Sequence, residues 1–247
     1  MDDPATNHAA IVGRRLATLR DPAMRLAWAS DLLQKMAAER AVSLLAASLG
    51  TPGRHPDQDD LFLTLTLALV QPELAETRTA IGGVAARQGP TEIAWLFARR
   101  PDSIPPLGKL PVPDHGRGRP LTLGERKSLA RGRDRKLLLR ALVDPHPDVA
   151  AILLANPSLT EQDVRRMASR RPIEPSVLEQ ILAQPRWAVR YEVRLALVQN
   201  PHLPLDRALP LAALLRRQDA RTLAKAPDLR APLREIAEWV ATPATRH

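Results

Sequence analysis

The chain has 247 residues, of which 24 are Pro, 36 are basic, 27 are acidic and none is Cys, for a net charge of +9. A hydrophobic share of 45% is enough for a packed core and argues against wholesale disorder. The absence of Cys excludes disulfide scaffolds, thiolate zinc sites, iron–sulfur clusters and Cys nucleophiles.

Pro is also hostile to sheet interiors, which favours an all-helical chain. The charge is unevenly spread. Residues 1–102 carry 11 basic and 12 acidic side chains, residues 103–140 carry 10 and 3, and residues 141–247 carry 15 and 12. A basic block of that kind suits an anionic partner, and equally a solvated surface.

The start, Met1-Asp2-Asp3-Pro4, lacks the basic-then-apolar order of a secretory signal. His8 to Leu19 is the first expected helix. Asp21-Pro22 supplies an N-cap followed by Pro at the first helical position. From Ala23 to Leu49 apolar residues recur at helical spacing, as one long helix or two short ones, and Gly50 ends the pattern. Leu61 to Val70 is the longest uncharged apolar run, and its ten residues are too few to span a bilayer as a helix. Its Leu/Thr alternation also suits a strand, but its neighbours favour a buried helix. Thr77 to Gln88 and Thr91 to Arg100 complete a small N-terminal helical bundle, residues 1–102. A cytoplasmic location without membrane association is expected.

Residues 103–120 change character. The stretch 101–120 holds six Pro and three Gly and reads as a basic linker. From Leu121 onward Xaa-Pro breaks recur at Pro145, Pro157, Pro172, Pro185, Pro201 and Pro227. Second breaks from 145 to 172, 157 to 185 and 172 to 201 are 27, 28 and 29 residues apart, and the last interval, 201 to 227, is 26, room for two short helices. Asn156-Pro157-Ser158-Leu159, Asn200-Pro201-His202-Leu203 and Ala226-Pro227-Asp228-Leu229 share a local phrase. Pro halts each preceding helix, and Asn suits a helix end because it tolerates left-handed geometry. Thr122-x-x-Glu125 matches a capping box, and Thr160 with Asp163 is a weaker version. Degenerate units of this kind indicate a helical-hairpin solenoid over residues 121–247.

The phrases Leu153-Leu154-Ala155-Asn156-Pro157 and Leu195-Ala196-Leu197-Val198-Gln199-Asn200-Pro201 resemble leucine-rich-repeat-variant proteins, bacterial relatives of HEAT-like helical solenoids. The stretch Leu121 to Val240 also resembles an uncharacterised bacterial family of such solenoids, a likeness carried in part by Leu123 to Ala130 and Pro185-Arg186-Trp187. The resemblance covers about half the chain. It implies a right-handed α-solenoid of short helices that binds rather than catalyses, and it implies no particular ligand. The 26–29-residue units exceed the family's usual repeat, and residues 1–120 lie outside the likeness.

Catalytic patterns are missing. There is no phosphate-cradling Gly loop and no Gly-x-Ser-x-Gly elbow. The six His (8, 55, 115, 146, 202 and 247) include no pair at metal-binding helical spacing. No cofactor and no metal are expected. Three groups carry a binding signal. Arg117-Gly118-Arg119-Pro120 resembles the core of an AT-hook, whose Arg side chains enter the narrow minor groove of A·T tracts. Arg126, Lys127, Arg131 and Lys136 form a basic surface on expected helices, able to meet phosphates or acidic side chains. Trp187, Arg190 and Arg194 combine an aromatic with Arg, a hot-spot composition. On one helix Trp187, Tyr191 and Leu195 would form a stripe. Trp28, Trp95 and Trp239 read as core.

These observations lead to an expectation: a non-enzymatic scaffold or adaptor that binds another protein through a helical-repeat groove. The alternative is a nucleic-acid-binding HEAT-like protein using the linker and the groove. HEAT-like solenoids include alkylpurine DNA glycosylases, but no catalytic residue of theirs is matched here, so that alternative rests on fold analogy.

Overall fold

The computed structural model describes residues 4–19, 21–50, 56–97, 104–114 and 118–242. Among them there are sixteen α-helices and no strand. Among the described residues no helix is long and apolar enough to cross a membrane. The chain divides into two compact units, residues 1–102 with 205–247, and residues 103–204.

The first unit opens with α1 (Pro4–Thr18), α2 (Pro22–Lys35) and α3 (Ala38–Leu49). Asp21 caps α2 as its sequence implies, its carboxylate accepting from the Met24 N–H at 2.9 Å. The periodic stretch 23–49 is two helices, because Met36 and Ala37 are both extended. Gly50 closes α3 at φ 54°, a backbone setting that favours glycine.

The Leu61–Val70 run lies on α4 (Pro56–Leu69), a helix as expected. Its two Thr residues are tolerated in an apolar setting because each bonds its own helix. Thr64 Oγ1 donates to the Asp60 carbonyl at 2.8 Å and Thr66 Oγ1 to that of Phe62 at 2.9 Å. A short 3₁₀ turn (Pro72–Leu74), α5 (Ala75–Gln88) and α6 (Thr91–Phe97) follow.

The helices at the other end of the chain join this unit. They are α14 (Leu205–Ala213), α15 (Arg217–Ala224) and α16 (Ala231–Ala241). α14 packs on α4 and α6, and α16 packs on α14 and α15. Arg207 donates to the Val70 carbonyl, and the Trp239 indole N–H donates to Glu92 Oε1 at 3.2 Å. The expected array 121–247 is therefore divided between the two units.

The second unit contains α7 (Leu123–Arg131), α8 (Arg135–Ala141), α9 (Pro147–Leu154), α10 (Glu161–Ser169), α11 (Pro175–Leu182), α12 (Pro185–Ala188) and α13 (Tyr191–Val198). α9 packs between α7 and α11, and α10 packs on α13. Two segments repeat the same bonds. Thr122 and Thr160 each accept from the N–H three residues on, and Glu125 and Asp163 reach back to the Thr N–H. Both capping boxes are complete, including the one the sequence rated weaker.

Asn156 then donates to the carbonyls of Ala130 and Gly132 at 2.8 and 2.7 Å, and accepts from the Ser158 N–H at 2.9 Å. Asn200 donates to those of Ala168 and Arg170 at 2.7 and 2.9 Å, and accepts from the His202 N–H at 3.0 Å. The step from Thr122 to Thr160 is 38 residues and that from Asn156 to Asn200 is 44. The 26–29-residue spacing of Pro is not the spacing of these bonds.

The role of Asn also differs from the expected one. Among the described residues no non-glycine has positive φ. Asn156 and Asn200 work through their side chains. The carboxamide oxygen closes a turn over the following Pro, and the NH₂ group satisfies the orphan carbonyls that end an earlier helix. Asp144, before Pro145, closes the same turn by accepting from the His146 N–H at 2.9 Å. Lacking an amide, it takes a cation instead. Arg126 Nη1 donates to Asp144 Oδ1 at 2.6 Å inside the unit.

Candidate functional site

The structure separates the residues of the expected aromatic–Arg surface. Trp187 is 3% exposed, on the one-turn helix α12, and its indole N–H donates to the Leu154 carbonyl at 2.8 Å. It is part of the core and presents no face to a partner. Arg190 is extended and caps α13, so Trp187 and Tyr191 share no helix. Arg194 is also buried, with its guanidinium 5.8 Å from the Tyr191 ring centre. Of the three residues only Arg190 is exposed, and it lies 3.8 Å from Glu161. Trp28, Trp95 and Trp239, read as core, are only half-buried.

The basic surface divides in the same way. Arg126 is held by Asp144, and Lys127 Nζ lies 2.5 Å from Asp148 Oδ2. That contact holds the Asp148 carboxyl below its ordinary range. Arg131 and Lys136 are exposed, and so are Arg133 and Arg140. Among the described residues no ion pair reaches any of these four cations. The excess positive charge of the middle of the chain thus survives on the α7–α8 turn and along α8.

Arg119 is engaged in a fork. Its guanidinium donates to both carboxylate oxygens of Glu125, at 3.0 and 2.5 Å, and to the Pro120 carbonyl. The hydrogen bond from Arg119, with those from Thr122, holds Glu125 down to about 2. The preceding Gly118 has φ 67°, a conformation that favours glycine. Arg117 lies outside the described residues.

One surface was not foreseen. Leu139 and Val143 are 37% and 38% exposed, four positions apart at the end of α8. With Leu142, Met167 and Ser169 they line an open groove of about 470 Å³ between α8 and α10. Arg166 and Arg170 stand at its edge. Arg170 Nη1 donates to the Val143 carbonyl at 2.5 Å and so fixes the end of α8. Burial lowers the Arg170 pKa, against the Asp144 carboxylate, which raises it. The sequence shows the apolar residues of α8 but not which of them packing leaves uncovered. Leu138, Ala141 and Leu142 already fill the core side of α8, which leaves Leu139 and Val143 as a second apolar stripe.

The carboxylates around the groove are consumed internally. Asp163 is fully buried and grips Arg135 through two bonds of 2.6 Å. Asp144 is 1% exposed and holds Arg126. The groove therefore presents apolar side chains and cations.

The first unit has a wider cleft of about 720 Å³, with Glu39, Ser43, Glu92 and Trp239 on its walls. Glu92 there accepts from Trp239. Among the described residues no cluster of His, Asp or Glu is arranged to hold a metal ion. His146 caps α9, its Nδ1 accepting from the Asp148 N–H at 3.1 Å.

Comparison with protein-family models, with curated proteins and with solved structures finds no match for this chain.

Proposed function

We propose that this protein is a non-enzymatic adaptor, and that its α7–α13 segment is a right-handed helical-repeat module of HEAT-like or leucine-rich-repeat-variant type that binds another protein. The observation that carries the reading is the recurrence of one pattern, a capping box at Thr122 with a buried Asn156 bonding Ala130, and a capping box at Thr160 with a buried Asn200 bonding Ala168. Repeated helical units stacked by shared contacts offer extended surfaces, and such surfaces serve recognition. Buried Asn bonds of this kind spend polar groups on rigidity, which lowers the ordering cost of binding.

The test is a random-peptide display selection on the immobilised full chain. The reading expects one enriched consensus that competes as a free peptide. Enrichment no better than on bare matrix removes it.

A second reading, nucleic-acid binding, is favoured by the four exposed cations Arg131, Arg133, Lys136 and Arg140, which meet no ion pair among the described residues. It expects anisotropy of labelled duplex or single-stranded DNA to show a log–log salt slope of roughly −0.7 to −0.9 per phosphate neutralised. Replacing the four by Ala should flatten that slope. No binding at low salt ends this reading.

A further inference from the structure

We infer that the groove between α8 and α10 takes an acidic amphipathic segment of a partner protein, with apolar residues seated on Leu139, Val143 and Met167 and carboxylates meeting Arg166, Arg140 and Lys136. This rests on the protein-binding reading above and names the partner's chemistry.

The apolar requirement comes from the floor. Leu139 and Val143 are large side chains left more than a third exposed, side by side, and they open into a depression rather than standing singly. A partner residue seated there covers both and also reaches Leu142 and Met167, which are buried beneath.

The charge requirement comes from the edge. Lys136 and Arg140 lie four apart on α8, beside the Leu139–Val143 stripe, and Arg166 lies across the groove on α10. None of the three is met by an ion pair among the described residues. The carboxylates of these elements do not face the groove as free charges. Asp163 is bound to Arg135, Asp144 to Arg126, Glu161 lies 3.8 Å from Arg190, and Asp134 caps α8 by accepting from the Lys136 and Leu137 N–H groups. Cationic rims around an apolar floor select a ligand that alternates apolar and acidic side chains. A nucleic acid would satisfy the cations but has no aliphatic group suited to the floor.

The experiment uses the full chain and a fluorescein-labelled 16-residue peptide with Leu at helical spacing and Glu between. Two control peptides keep the composition with Leu positions scrambled, or replace Glu by Lys. The inference expects the first peptide to bind and both controls to bind at least about tenfold more weakly. Leu139→Asp/Val143→Asp, exposed positions whose change should spare the fold, should weaken binding at least about tenfold. Arg140→Glu/Arg166→Glu should do the same and should restore binding of the Lys peptide. Circular dichroism and urea midpoints confirm that each variant is folded.

Binding that depends on charge but not on Leu139 and Val143 overturns the groove. Equal competition by duplex DNA assigns the surface to nucleic acid. If the peptide fails to bind while display selection still yields a consensus, the groove assignment falls and the adaptor reading stands. If selection also yields nothing, the adaptor reading falls with it.

Discussion

Asn200 repeats the bonding of Asn156. In each, the carboxamide NH₂ donates to two carbonyls at the end of an earlier helix, and the oxygen accepts from the N–H two residues on. Both side chains are buried. Replacement by Ala strands two carbonyls and one N–H without partners. Asn200→Ala is expected to destabilise the protein by about 2–4 kcal/mol, read from the urea midpoint, at roughly 1–3 kcal/mol per stranded buried group with partial relaxation. Asn200→Asp should be comparably harmful, because it keeps the acceptor but loses both donors.

Arg126 and Asp144 form a buried pair, and removal of one partner leaves a charge in the core. Arg126→Ala or Asp144→Ala should each cost about 3–5 kcal/mol by denaturant unfolding. The double variant Arg126→Met/Asp144→Asn should recover much of that loss, because it leaves no uncompensated charge. A double variant as unstable as the sum of the single ones would show that the two residues act independently.

Asp163 supplies a pH dependence whose sign is fixed by its surroundings. Burial pushes its carboxyl up, but the bonds from Arg135 and Thr160 outweigh that and hold it at about 2, below the ordinary 3.8. A depressed folded-state value means that the unfolded chain takes up the proton first. The stabilisation is full above about pH 5 and is lost as pH falls from about 4 towards 2. Asp163→Asn should lower stability at pH 7 and flatten the acid limb of the unfolding midpoint against pH.

Trp187 is held by packing and one hydrogen bond to Leu154. Trp187→Phe keeps most of the ring volume and strands the Leu154 carbonyl. A loss of about 1–3 kcal/mol is expected in thermal or urea unfolding. Peptide affinity measured well below the midpoint should be unchanged, which separates a core role from contact with a partner.

What the sequence determined by itself is local. Asp21-Pro22, Thr122 with Glu125, and Thr160 with Asp163 announce helix starts because cap and donor lie within three residues of each other. The all-helical class followed from the same punctuation and from the period of the apolar residues. Tertiary structure decided the rest, because the partners are far apart in the chain. Arg126 meets Asp144, Asn156 meets Ala130, and Trp187 meets Leu154 only after helices pack. An Arg–Trp phrase has the same composition whether it faces a partner or the core. Which of these it does depends on desolvation, and no spacing rule reads that. That Arg131, Arg133, Lys136 and Arg140 meet no ion pair among the described residues, and that Leu139 and Val143 stay uncovered, depends on which helices pack against α8, and local spacing does not carry that.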